Sequence, residues 1–259
     1  MTFSHRRSQR ASRLSERIRE IRINPIIPVE SVLIVTERGN RPEKKAEPLI
    51  LDRRSRVEGC QFCRGDEHQT HSQIIAMPVI PANVEMEIFS SRKYFQEQGN
   101  CIFCTLMDER LTYEGIIYDK DSGELKKRIE VEQYIVDRGD RFIAIKPFAS
   151  RFPWEVHILP KQHSHDYRSI SDTDCLDLAT VLRRVMLRLQ AILGVVQYNY
   201  FLHSAPAHFT TAGCEASFHW HLEICPRTTV PNGFELGSGL AINTVSPEKA
   251  AEQLRAIQL

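Results

Sequence analysis

The chain has 259 residues, 42% hydrophobic and 26% charged, which is enough apolar material for a buried core and too ordinary a mixture for a disordered or fibrous protein. Its 34 lysines and arginines face 33 acidic residues, a net charge of +1, so no global field draws it to nucleic acid or to an anionic membrane. No apolar run approaches the ~18 residues of a membrane span, and neither nucleic acid nor membrane is an expected partner.

Residues 1–22 hold seven arginines, and residues 1–24 read as a basic N-terminal arm with a short helix from Leu14 to Ile21. Asn24-Pro25 closes it, because the residue before a proline disfavours helix. Glu16 and Glu20 argue against an organellar leader, and the expected location is the cytoplasm. Ser31 to Val35 is β-branched and apolar, a strand. Of the seven cysteines, four form Cys-x-x-Cys pairs, Cys60/Cys63 and Cys101/Cys104, a spacing that suits metal knuckles better than a secreted disulfide framework. Cys60, Cys63, His68 and His71 fall within twelve residues and can together hold one zinc. From His71 to Gly99 the pattern is weak and reads as a connector with one short strand. Residues 25–98 are therefore expected to be a truncated N-terminal segment bearing a zinc knuckle, and 99–259 a second domain.

Within that second domain, Arg141 to Lys146 and Trp154 to Leu159 read as neighbouring strands separated by prolines. Ser171 with Asp174 three residues on forms a helix-start signature. Leu178, Val181, Leu182, Val185, Leu189 and Ile192 follow at helical spacing, and Gly194 supplies a stop, so a helix is expected over Asp172 to Leu193. Tyr198 to His203 reads as a strand, and Pro247 to Ile257 as a helix with proline in its first turn.

The richest segment is Ser217 to Arg227. Its alternation predicts a strand with His219, His221 and Glu223 on one face and Phe218, Trp220, Leu222 and Ile224 on the other. Two imidazoles at i and i+2 lie within ~7 Å of each other on a pleated surface, so one can hold a metal while its neighbour stays free. Cys101, Cys104, His163 and His219 offer a four-donor zinc set. His221 then remains as a nucleophile, since a neutral imidazole can attack phosphorus and carry a covalent nucleotidyl group. Arg151, Lys161, His203 and Arg227 are candidates to neutralise phosphate oxygens. Glu223 opposes that role: a carboxylate repels phosphate unless it is protonated, hydrogen-bonded or metal-bound.

These motifs resemble the histidine-triad superfamily: Cys101-Ile-Phe-Cys104, a strand ending Leu159-Pro160-Lys161-Gln162-His163, and a late His219-Trp220-His221. More narrowly, Lys146 to Glu155, Phe218 to Arg227 and Gly233 to Gly239 resemble the C-terminal domain of galactose-1-phosphate uridylyltransferases, and Cys60 to Glu67 resembles the zinc knuckle opening their N-terminal domain. The resemblance implies an α+β fold, an antiparallel sheet crossed by the helix from Asp172. It further implies UMP transfer from a nucleotide sugar through a histidine intermediate, zinc as cofactor, substrate contacts from Arg151, Lys161, His203, Glu223 and Arg227, and compatibility with a homodimer. The family carries its nucleotidylated histidine in a His-Pro-His-Gly-Gln motif that this sequence lacks, which leaves His221 as the candidate nucleophile. A dinucleoside-polyphosphate hydrolase or phosphorylase, and a catalytically inactive zinc-binding relative, are the alternatives.

Overall fold

The computed structural model describes residues 20–36, 79–108, 110, 112–119, 123–194, 197–206 and 214–259. The expected knuckle of Cys60, Cys63, His68 and His71 lies outside the described residues. In chain order the elements are β1 (Glu20–Ile23), β2 (Ser31–Ile34), α1 (Ala82–Gln98), α2 (Ile102–Met107), β3 (Thr112–Asp119), β4 (Gly123–Glu130), β5 (Ile135–Arg138), β6 (Phe142–Ile145), β7 (Val156–Pro160), α3 (Asp172–Leu193), β8 (Tyr198–His203), α4 (Cys214–Ser217), β9 (His221–Pro226), α5 (Gly233–Ser238), β10 (Ala241–Asn243) and α6 (Pro247–Ala256). Short 3-10 turns cover Val131–Tyr134 and Tyr167–Ser169.

Ten strands make two five-stranded sheets. In the first, ordered β10-β2-β1-β3-β4, β10 runs parallel to β2 and the other pairs are antiparallel. Strands from before residue 36 thus share a sheet with strands from after residue 112. The second sheet, β5-β6-β7-β9-β8, is antiparallel throughout. Successive side chains of a strand point to opposite faces, and this sheet divides accordingly. Phe142, Ala144, Val156, Ile158, Leu222 and Ile224 pack with Val181, Val185 and Leu189 of α3 and with Ala250, Ala251 and Leu254 of α6. Ile143, Ile145 and Leu159 pack the other way, on Phe103 of α2 and on Phe218. The fold class is α+β, as expected, and α3 spans the expected residues with Ser171 and Asp174 forming a reciprocal capping box.

Three expectations are corrected. Residues 82–98 are a 17-residue helix and not a connector with a strand. Only Glu87, Ile88 and Ser91 of α1 are buried, so no apolar stripe marks it. Its limits are instead set by Pro81 and by Gly99, whose left-handed φ of 74° ends the helix. Glu20 and Ile21 belong to β1, not to a helix, because they pair with both β2 and β3. The histidine strand begins only at His221. Cys214–Ser217 is helical and the Phe218 amide still bonds to the Cys214 carbonyl at 2.9 Å, so the alternation has not started at Phe218. That side chain therefore sits on the histidine side, with its ring 5.9 Å from Phe103 and 6.4 Å from His221.

Candidate active site and metal centre

Cys101 caps the start of α2 and Cys104 lies in its first turn, a separation of three residues that brings both thiols to one face. His163 follows β7, and His219 lies in the extended lead into β9. The donor atoms of Cys101, Cys104, His163 and His219 all lie within 4.8 Å of one another. Cys104 Sγ is 3.4 Å from His163 Nδ1 and 3.5 Å from His219 Nδ1. The far nitrogens are committed: His163 Nε2 donates to the Glu215 carbonyl at 2.8 Å, and His219 Nε2 to the Pro160 carbonyl at 2.9 Å. Each bond fixes the tautomer that turns the Nδ1 lone pair inward, the arrangement by which backbone carbonyls orient metal-ligating histidines. A hydrogen bond from Cys101 draws the Cys104 thiol down to about 3, whereas the same thiol pairing and burial push Cys101 up. Burial lowers His219, so it stays neutral and able to ligate. Two sulfurs and two imidazole nitrogens match a closed zinc set.

Two residues along, the chemistry changes. His221, 1% exposed, donates from Nδ1 to the His219 carbonyl at 3.0 Å, which leaves the lone pair on Nε2. That nitrogen is 3.4 Å from Glu223 Oε1 and 3.9 Å from Glu87 Oε1. His203, at the end of β8, meets both oxygens of Glu87 from Nδ1 at 3.0 Å. Burial works against its charge, but the Glu87 carboxylate raises it above the ordinary histidine value. The donor atoms of Glu87, His203, His221 and Glu223 also lie within 4.8 Å of one another. Among the described residues four rings surround His221: Phe103 at 5.0 Å, His203 at 5.1 Å, His157 stacked at 5.7 Å and Phe218 at 6.4 Å.

A network of charge stands behind this cluster. Arg151 Nη2 bonds Glu223 Oε2 at 2.5 Å and approaches Glu155 Oε1 at 3.6 Å. Glu155 accepts the backbone N–H groups of Arg151 and Phe152 on Oε2, and its Oε1 lies 2.9 Å from His157 Nε2. Burial would raise Glu223, but His157 and Arg151 hold it below the usual carboxylate range. It is therefore an anion whose charge is compensated. Underneath, Lys146 is buried and donates to the Phe152 and Glu155 carbonyls at 3.2 and 2.7 Å, and burial lowers it to about 7.

The expected substrate contacts separate. His203, Glu223 and Arg151 gather around His221, with Arg151 engaged by carboxylates. Lys161 bonds the Gly139 carbonyl at 2.7 Å and lines a different cavity of about 340 Å³ with Arg141, His163 and Trp220. Arg227 is exposed at the end of β9, 3.3 Å from Gln197 Oε1. Neither lies with the His221 group: Lys161 follows β7 at its His221 end but lines the cavity on the side of Phe142 and Trp220, and Arg227 follows the far end of β9. Sequence reasoning missed Glu87, His157 and Glu155. His157 was visible as a lone imidazole in the apolar run Val156 to Leu159. Glu87 needed α1, whose signal is an uninterrupted span between Pro81 and Gly99.

The family model of the galactose-1-phosphate uridyl transferase C-terminal domain matches residues 87–258. ADP-glucose phosphorylase of Arabidopsis thaliana is 30% identical over 190 residues, 73% of this chain and 47% of that protein. Galactose-1-phosphate uridylyltransferase of Thermotoga maritima is 29% identical over 195 residues, 73% of this chain and 55% of that protein. The crystal structure of an ADP-glucose phosphorylase from Arabidopsis thaliana with bound ADP-glucose superposes with a TM-score of 0.60 at 28% identity, covering 71% of this chain and 52% of the other. The chain thus spans about half the length of the relatives it matches. With the model matching from Glu87 on α1 to beyond α6, and so across both clusters, the chain belongs to the galactose-1-phosphate uridyl transferase family, in its C-terminal domain.

Proposed function

We propose that the chain transfers a nucleotidyl group from a nucleotide sugar through His221. Nε2 attacks the nucleotide phosphorus, the bond to the sugar-phosphate oxygen breaks, and a hexose 1-phosphate leaves. A second sugar phosphate then attacks the phosphorus and frees the histidine. UDP-hexose is the donor the family supports, and the ADP-glucose phosphorylase relative makes ADP-glucose the second donor to test. The observation that carries this reading is the His221 Nδ1–H bond to the His219 carbonyl, which leaves the Nε2 lone pair available and outside the thiol cluster. Glu223 and Glu87, whose Oε1 atoms stand 3.4 and 3.9 Å from that nitrogen, would both have to turn aside for a phosphate to reach it. Cys101, Cys104, His163 and His219 would hold zinc as a structural ion, fixing α2 against the lead into β9. Five cysteines of the described residues are free thiols, in keeping with a reducing, cytoplasmic setting. No helix among those residues is long and apolar enough to cross a membrane.

A second reading has an observation of its own. Two carboxylates and two imidazoles within 4.8 Å would suit a divalent cation, which would occupy the Nε2 lone pair and make the site structural. Incubation with UDP-glucose and with ADP-glucose, followed by intact-mass measurement, separates the two. The transfer reading expects a UMP or AMP adduct that His221→Asn abolishes. The cation reading expects no adduct and a metal that is lost in that variant.

A further inference from the structure

The cavity of about 340 Å³ beside Lys161 takes no part in the chemistry assigned to His221. Buried Phe142 and Trp220 line it, and both belong to the core on the α3 side of the sheet. The loop that closes it is held in place. The Lys161 amide donates to the Arg141 carbonyl at 2.8 Å, the Trp220 amide to the Ser164 carbonyl at 2.9 Å, and the Ala205 amide to the His165 carbonyl at 2.9 Å. The Tyr167 ring stands edge-on to Trp220 with centroids 5.0 Å apart. The cavity is thus formed before a ligand arrives, and its volume falls in the range of ~300–1,000 Å³ usual for small-molecule sites.

The polar groups around it are of two kinds. Lys161 and Arg141 donate. Lys161 spends one N–H on the Gly139 carbonyl at 2.7 Å, and Arg141 spends one on Asp174 at 2.8 Å. An ammonium and a guanidinium each carry further N–H groups beyond these. Asp140 and Ser164 accept. Asp140 is an exposed carboxylate. The Ser169 hydroxyl donates to the Asp166 carbonyl at 2.6 Å, so the Ser164 hydroxyl, 3.1 Å from it, acts as donor to Ser169 and keeps its own lone pairs. His163 is a wall and not a contact, because its Nδ1 faces Cys104 and its Nε2 the Glu215 carbonyl.

The charges balance. Asp174 is matched by Arg141, which leaves Lys161 and Asp140 with opposite signs. A bare anion would use the donors and leave the acceptors idle, whereas a neutral sugar would leave the cations without a charged partner. A ligand that carries a phosphate and hydroxyl groups answers both. We propose that this cavity binds a sugar phosphate, with the phosphate on Lys161 and Arg141 and sugar hydroxyls donating to Asp140 and Ser164.

Calorimetric titration of the full chain with glucose 6-phosphate tests this. The probe has no anomeric phosphate, so it is not a leaving group for the transfer proposed at His221. A single site per chain is expected in the wild type and, with equal affinity, in His221→Asn. Lys161→Gln keeps an N–H donor in place of the charge and should weaken the probe at least ~10-fold. Asp140→Ala, on an exposed side chain whose loss leaves the circular dichroism spectrum unchanged, should weaken glucose 6-phosphate and leave inorganic phosphate unaffected. A wild type that takes up no glucose 6-phosphate, or binding undiminished in both Lys161→Gln and Asp140→Ala, would overturn the proposal. So would loss of binding in His221→Asn, which would place the ligand at the carboxylate cluster. Inorganic phosphate bound as tightly as the sugar phosphate would also overturn it, since the cavity would then read the anion alone.

Discussion

His219 and His221 are two residues apart, yet they face donor sets of opposite character. His219 turns its Nδ1 toward a thiol pair, and its partner His163 does the same. His221 turns its Nε2 toward two carboxylates. The first set is soft and closed, and its outer nitrogens are pinned by carbonyls of Glu215 and Pro160. The second is ionic, and its balance depends on Arg151 and on histidines that themselves bond to Glu87 and Glu155. The difference arises from where the alternation begins. His219 precedes β9 and reaches toward α2, whereas His221 opens β9 and lies over the strand neighbours His157 and His203. One short segment thus supplies one ring to the thiol cluster and one to the carboxylate cluster, and the carbonyl of the first residue holds the ring of the second.

The comparison can be broken most severely at the thiol cluster. Cys104→Ser should remove zinc from it and cost about 4–5 kcal/mol or more in chemical denaturation, since loss of a structural metal belongs with the largest single-residue effects. Zinc content by atomic emission that stays at the wild-type level would refute the assignment of these ligands. Next in size is Arg151→Ala, which leaves Glu223 and Glu155 buried without their cation and should cost about 3–5 kcal/mol in urea unfolding, while zinc content stays unchanged. A coupled loss of zinc would show that the two clusters are one unit.

A network remote from both clusters gives the control. Burial would raise Glu248, but Arg22, Tyr134 and Lys127 hold it down to about 2, with the Tyr134 hydroxyl bonded to it at 2.6 Å. Because its folded value lies below its unfolded one, near 4.5, the stabilisation is complete above pH ~4.5 and is lost as pH falls toward ~2, on the order of 3 kcal/mol in all. Glu248→Gln should flatten stability across that window without altering zinc content. The smallest effect expected is at Arg227. The Arg227→Ala change should shift stability by less than about 0.5 kcal/mol and leave nucleotide binding by titration calorimetry unchanged, because this side chain is exposed and bonded to Gln197.

Much of this arrangement was legible in the residues. The apolar stripe, the capping box and Gly194 delimit α3, because a long amphipathic helix states its period and both its ends. The spaced cysteines and strand-end histidines group as they do because thiols and imidazoles three residues or one strand apart have few ways to lie unpaired together. What was illegible depended on tertiary position. α1 buries chiefly Glu87 and Ser91 along with Ile88, so burial there follows the polar site and not a hydrophobic period. Phe218 departs from the expected face because four helical residues before it shift the start of the strand. Lys161 and Arg227 suggested phosphate contacts by type, but Lys161 lines the cavity on the side of Phe142 and Trp220, and strand direction carries Arg227 beyond β9, away from His221.

The central claim is that His221 Nε2 accepts a nucleotidyl group while the thiol cluster stays intact, and trapping the adduct tests it most directly. The wild-type protein, loaded with zinc, is incubated with UDP-glucose or ADP-glucose, quenched and mapped by peptide mass spectrometry under alkaline conditions that preserve phosphoramidates. The account predicts one UMP or AMP on the peptide containing His221, absent in His221→Asn, with the zinc content of wild type and variant equal. A wild-type protein that never carries a nucleotide, or an adduct mapped to another residue, would contradict it.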